Sequence, residues 1–240
     1  MFRPNLLRLS KSIAVEVLYE DKYLLALNKP AGLLVAPMHW DRTSRNLMKL
    51  LRDGIEAGTL WARSRCLRFI CNVHRLDADT SGVLLLAKNR PTLAQMSKSF
   101  EERHVSKIYL AIVEGNFAED RFTVSEPIAE HPHKPMSCID RITGREAITH
   151  FTVVDRFANH TLLQAEPVTG RTHQIRLHLA HIGRPVVGDL LYGGLRNDRL
   201  ALHAYKLTFR HPFAAKSVDI KAEPPKDFLK LINKIKKTKS

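Results

Sequence analysis

The stretch GVLLLAKN, residues 82–89, sets the strictest limit on what this chain can fold into. Its unbroken apolar run has neither the alternation of a half-exposed strand nor the three-to-four spacing of a surface helix. The length is that of a strand, so the run predicts a strand covered on both faces, which requires a sheet with further layers packed against it. A chain of 240 residues is long enough to build such a core.

The flanking sequence supplies the other elements. SIAVEVLYEDKYLLALNKPAG (12–32) predicts two short strands around a turn at Glu20, Asp21 and Lys22, stopped by Pro30 and Gly32. Residues 42–58 predict a weakly amphipathic helix with Leu47, Leu50 and Leu51 on one face. Pro91 suits the first turn of a helix in which Leu93, Met96 and Phe100 recur at helical spacing through Arg103. KIYLAIVEG (107–115) reads as a strand, and AITHFTVVD (147–155) and TLLQAEP (161–167) read as a hairpin joined by RFANH. Three prolines and two histidines between 126 and 144 read as a loop. THQIRLHLAHIG (172–183) is helical through Ile175, Leu179 and Ile182, with Gly183 placed to end it. The expected architecture is α+β: a mixed, mainly antiparallel central sheet with flanking helices and loops. A basic lead-in (1–12) precedes one domain (13–220), and a lysine-rich helix (221–240) packs on it through Phe228, Leu231, Ile232 and Ile235.

Charge narrows the partners. Lys plus Arg number 38 against 24 acids, a formal net charge of +14. Such an excess favours a polyanion, nucleic acid first, although it would also keep a protein in solution. Three cysteines, Cys66, Cys71 and Cys138, form neither a disulfide framework nor a CxxC knuckle, which fits a reducing compartment. No apolar run reaches the roughly 20 residues of a membrane span. The opening MFRPNLLRLSKS is basic and free of acids, but a strand pattern from Ile13 leaves little room for a targeting segment, so the cytoplasm is expected. Among His74, His131, His133, His173, His178 and His181 no acidic ligand intervenes and the facial spacing is poor, so no metal site is expected.

Candidate chemistry centres on HRLDADTSG (74–82). Asp77 can be a nucleophile, a general base or an ion-pair member, and a nearby guanidinium from Arg75 or Arg176 would hold it ionised. Arg75 and Asp77 share a face if the segment is extended, an argument that lapses in a turn. Asp79, before Thr80 and Ser81, suits backbone turning. Arg176, at the edge of an apolar helical stripe, is either part-buried with a partner or laid along its own methylenes toward water. Tyr109 alternates with Ile108 and Leu110 and by itself reads as a core or cross-strand residue. GRTHQIR (170–176) offers a glycine before a helix, a weak anion-site signal.

Taken together and in order, HRLDADTSGVLLLAKN, KIYLAIVEG and TGRTHQIRLHLAHIGRPVVGD closely resemble the signature segments of the RluA-type pseudouridine synthases, flanked by the similar LALNKPAGLLVAP and LALHAYKLTFRHP. The resemblance covers residues 15–212; the arginine-bearing stretch LWARSRCLRFICN (60–72) lies outside its motifs, and no S4-type domain is expected before the first strand. It implies a pseudouridine synthase fold with a central active-site cleft. Asp77 matches the catalytic aspartate, Tyr109 the tyrosine stacked on the target base and credited with proton transfer at C5, and Arg176 the arginine paired with that aspartate. Arg75 matches a residue that holds the nucleotide out of its helix. His74, Thr80, Arg171 and His173, in the same segments, join it as candidate substrate- and RNA-binding residues. The implied reaction isomerises uridines in structured RNA, ribosomal or transfer, by a monomer needing no cofactor, metal, membrane or obligatory protein partner. The alternative is a non-catalytic RNA-binding protein of the same fold.

Overall fold

The computed structural model describes residues 5–37, 46–134 and 136–237. The fold is α+β with a mixed, mostly antiparallel sheet. The chain groups into two compact units: Met1–Val105 with Lys206–Ala222, and Ser106–Tyr205 with Glu223–Ser240.

The first unit opens with β1 (Leu6–Arg8), which pairs antiparallel with β2 (Ala14–Glu20), so part of the expected lead-in is a strand. β2 turns into β3 (Leu24–Lys29) as anticipated. Asp21 makes the turn, its carboxylate accepting the Tyr23 and Leu24 N–H groups at 2.7 Å each. The helix expected over 42–58 is found as α1 (Leu47–Glu56), and residues 42–45 lie outside the described residues. Its buried face is Leu47, Met48, Leu51 and Gly54, while Leu50 is only partly covered. Gly54 is required there: a Cβ would sit 2.3 Å from the Trp61 ring of α2 (Leu60–Arg63). β4 (Cys71–Asn72) and β3 both pair with β5 (Ser81–Ala87).

β5 is the apolar run that constrained the fold, and all seven of its residues are buried. Val83 and Leu85 share a core cluster with Leu24, Ala26 and Met96, and by strand alternation Leu84 and Leu86 turn to the opposite face, where they are equally inaccessible. Each such leucine contributes about 2 kcal/mol of burial. Met96 lies on α3 (Arg90–Glu101), where Asn89 caps the Thr92 N–H and Pro91 occupies the first turn.

The second unit begins with β6 (Ser106–Glu114) and β7 (Arg121–Val124). Residues expected as a proline-rich loop form a small hairpin, β8 (Ile128–Glu130) and β9 (Ser137–Ile139), whose three-residue strands are too short to display alternation. The anticipated hairpin is β10 (Thr149–Arg156) with β11 (His160–Pro167). A bulge between Val153 and Asp155 releases Val154, which is 52% exposed. The sheet runs β6-β11-β10-β7, each pair antiparallel. α4 (Gln174–His181) follows and ends as expected: Gly183, at φ 70°, and Arg184 return their N–H groups to Ala180 and Leu179.

Within β12 (Leu202–Arg210) the chain passes back to the first unit, where residues 206–210 pair with β13 (Ser217–Lys221). It closes in the second unit with α5 (Lys226–Lys237), whose Phe228, Leu231 and Ile235 enter the core around Phe151, Leu163 and Leu179. No helix among the described residues is long and apolar enough to cross a membrane.

Candidate active site

In the first unit, the segment before β5 carries the aspartate. Arg75 is exposed, Leu76 buried and Asp77 half-buried, an alternation that puts the arginine and the carboxylate on the side away from the Leu76 anchor. Asp77 also opens a turn: its carbonyl accepts the Thr80 N–H at 3.2 Å, with Ala78 and Asp79 between. Asp79 therefore occupies the turning position read for it. Thr80 and Ser81 are each 2% exposed, so Thr80 supports the turn from inside. His74 is likewise built in: its Nε2 accepts the Leu85 N–H at 3.1 Å and its ring stacks on Phe100 at 5.0 Å.

The turn has a fastening that sequence reading missed. Lys29, the last residue of β3, has no solvent exposure. Its Nζ donates to the carbonyls of Pro30 (2.8 Å), Leu33 (2.8 Å) and Ala78 (2.7 Å). An ammonium has three protons, and three carbonyls match them. Burial of a charge is expensive unless it is satisfied in this way. The cation thereby ties the carbonyl next to Asp77 to the end of β3. The only sequence signal is a lysine ending an apolar strand just before a proline, where an exposed lysine would look the same.

In the second unit, Tyr109 lies on β6 opposite Ala165 of β11, half-buried against that unit's core. Arg176, on α4, is 7% exposed and does not reach for water. Its Nε and an Nη donate to the two carboxylate oxygens of Asp189 at 2.7 and 2.8 Å, and its guanidinium lies 5.2 Å from the Tyr192 ring centre. This parallel fork is the strong geometry for an arginine–carboxylate pair. Asp189 was also missed; it stands in the PVVGD segment, 13 residues on, with no periodicity linking it to Arg176.

The GRTHQIR loop is held by Gln174. Its Oε1 accepts from the Arg171 N–H (3.0 Å) and the Thr169 hydroxyl (2.7 Å), and its Nε2 donates to the Ile148 carbonyl (2.9 Å). Arg171 itself donates from Nε to the Glu146 carbonyl at 3.0 Å. His173 takes the left-handed conformation (φ 56°), a strained one for a non-glycine residue. Its Nδ1 lies 3.0 Å from the Tyr192 hydroxyl, which also bonds the Ser137 backbone. The loop is thus a set of interlocked side chains ending at Arg176. Nearby His178 is a core residue: its ring nitrogens meet the Thr149 hydroxyl and the Glu126 carbonyl at 3.0 Å each, and burial lowers its pKa.

The chain matches the RNA pseudouridylate synthase family over residues 23–181, which include HRLD, the Tyr109 strand and HQIR. It belongs to that family, in its RluA-type branch. Its similarity to named members is extensive. It is 37% identical over 244 residues to ribosomal large subunit pseudouridine synthase D of Xanthomonas campestris, covering 94% of this chain and 71% of that protein. It is also 37% identical over 235 residues to ribosomal large subunit pseudouridine synthase C of Vibrio cholerae, covering 91% and 69%. Among solved structures, human RNA pseudouridylate synthase domain containing 1 superposes with a TM-score of 0.70 at 29% identity, over 88% of this chain and 84% of that one. The fold of the synthase is also that of human RNA pseudouridylate synthase domain containing 4, at a TM-score of 0.76 and 24% identity over 91% and 92% of the two chains.

Proposed function

We propose that this pseudouridine synthase modifies uridines of large-subunit ribosomal RNA, with Asp77 as the catalytic carboxylate. The substrate assignment rests on the names of the relatives it resembles over more than nine-tenths of its length. The observation that carries the role of Asp77 is its place at the head of a turn tied by the buried Lys29 ammonium, in the family's HRLD segment. A nucleophile or base must be held still, and that tether limits its backbone freedom.

The reaction breaks the uridine N1–C1′ bond, turns the uracil, and joins C5 to C1′, the C5 hydrogen leaving as a proton. The base must first leave its stack, at a cost of a few kcal/mol. Asp77 attacks C1′ or removes a proton to open a glycal route. Tyr109 stacks on the detached uracil and moves the C5 proton. We assign the Arg176 guanidinium, itself held by the Asp189 fork, the task of keeping Asp77 ionised. Arg75, exposed on the Asp77 side of its segment, holds the extruded nucleotide, and Arg171 and His173 meet the flanking strand. Phosphate contacts by the basic surface, including the lysines of α5, hold the RNA while the base moves. The protein acts as a cytoplasmic monomer without cofactor, and its three free cysteines suit a reducing compartment.

Substrate and product have equal mass, so the test is tritium release from RNA labelled at uridine C5. Asp77→Asn is expected to abolish release while RNA binding persists; full activity in that variant would end the assignment.

A further inference from the structure

The segment unmatched by the family motifs, residues 60–72, ends beside an open hollow of about 330 Å³ in the first unit. Arg52, Ile55 and Glu56 of α1 line it together with Arg68, Phe69, Ile70 and Cys71. The neighbouring Arg65 serves structure: it is 3% exposed and bonds Glu20 at 3.0 Å, an acid that Lys88 also bonds at 3.0 Å. Arg52 and Arg68 do the opposite. Both are exposed, and among the described residues neither guanidinium makes a hydrogen bond or ion pair, even though Glu56 stands four residues after Arg52. The next pair on that helix, Lys49 with Asp53, does close at 2.9 Å. Phe69, half-buried, lines the hollow with apolar Ile55 and Ile70.

Two uncompensated guanidiniums beside a partly exposed aromatic ring are the chemistry that holds single-stranded nucleic acid: cations for phosphate, a ring for a base. We propose that this hollow is a second RNA contact, taking a phosphate on Arg52 and Arg68 and a base on Phe69, outside the turn that carries Asp77. The two lie on one piece of chain. Cys71 is six residues before Asp77, and six residues span at most about 20 Å, so one RNA strand can reach both. The hollow would grip the substrate on one side of the target nucleotide while the chemistry proceeds at Asp77. This rests on RNA being the substrate but not on the role given to Asp77.

The test is equilibrium binding of a fluorescein-labelled single-stranded oligouridylate across a salt series, with single-turnover tritium release at saturating RNA in parallel. For Arg52→Gln/Arg68→Gln we expect affinity at low salt to fall roughly tenfold. The slope of log affinity against log salt should shrink by about 0.7, the contribution of one phosphate contact on a single strand. The single-turnover rate should not change. Arg52→Lys/Arg68→Lys should keep the slope, and Phe69→Leu should weaken binding without altering it. Wild-type affinity and slope in the Gln pair overturns the proposal. Should that pair unfold, Phe69→Leu decides, and unchanged binding by it overturns the proposal equally. A wild-type protein that binds RNA but releases no tritium would refute the catalytic reading while leaving this one standing.

Discussion

The two units hold their functional segments by opposite means. In the first, the turn opened by Asp77 is tied by one buried cation bonded to three backbone carbonyls, including Ala78. In the second, Arg176 is held by other side chains, Asp189 and Tyr192, and the loop before it by a network in which side chains bond one another as well as the backbone: His173 with Tyr192, and Gln174 with Thr169, the Arg171 N–H and the Ile148 carbonyl. A carbonyl tether is blind to the identity of the residues it holds, so the turn can vary in side chains and keep its shape. A side-chain network fixes orientation as well as position, but each member answers to its neighbours. A carboxylate that only has to be presented suits the first device. A guanidinium that must point in one direction suits the second.

The sharpest way to break this contrast is Asp189→Ala. It strips a buried guanidinium of its fork, a loss of about 3–5 kcal/mol, to be read by urea unfolding. A cost below about 1 kcal/mol would mean that the network does not hold Arg176. Lys29→Met comes next. It leaves three carbonyls without their donor, and with relaxation we expect about 2–3 kcal/mol. The diagnostic is kinetic: single-turnover tritium release should fall well beyond what the folded fraction explains, with RNA affinity kept. Equal activity per folded molecule would make Lys29 purely structural.

The smallest effect separates the units by pH. His178 in the second unit has a pKa lowered from 6.5 by burial, which outweighs its bond to the Glu126 carbonyl. As pH falls below 6.5 the unfolded chain takes up a proton that the folded one refuses, so this unit loses stability between that value and the lower folded pKa. Asp21 in the first unit behaves differently. Burial works to raise its pKa, but bonds from Tyr19, the Tyr23 and Leu24 N–H groups and His211 outweigh it and leave it below 3.8. Its contribution is present above 3.8 and lost only as pH falls through the folded pKa. Hydrogen exchange between pH 7 and 5 is therefore expected to loosen first around Thr149 and His178, and His178→Gln should flatten that dependence. Equal loosening around Asp21 would contradict it.

What was legible in the sequence was whatever depends on neighbours in the chain. β5 declared its burial by an unbroken apolar run, α3 its first turn by Pro91, and the β2–β3 turn its place at Glu20, Asp21 and Lys22. The motif segments carried the family because their residues stand in a fixed order. The candidate site was readable as a set of residues and not as a set of attachments. Buried lysines are rare, so nothing in the sequence marked Lys29, and Leu50 took a place on the buried face of α1 that Met48 holds. Bulges and three-residue strands such as those around Val154 and Ile128 have no period to betray them.

By itself, then, the order of residues determined the secondary structure with strong local periodicity and the family through its motifs, while net charge favoured a polyanionic partner. The tertiary structure alone decided that Lys29 sits beneath the Asp77 turn and that Asp189 clasps Arg176. The reason is physical: periodicity and turn chemistry act over a few residues, whereas a buried charge takes whichever donor or acceptor the packed chain brings within about 3 Å, however far away in sequence that partner lies.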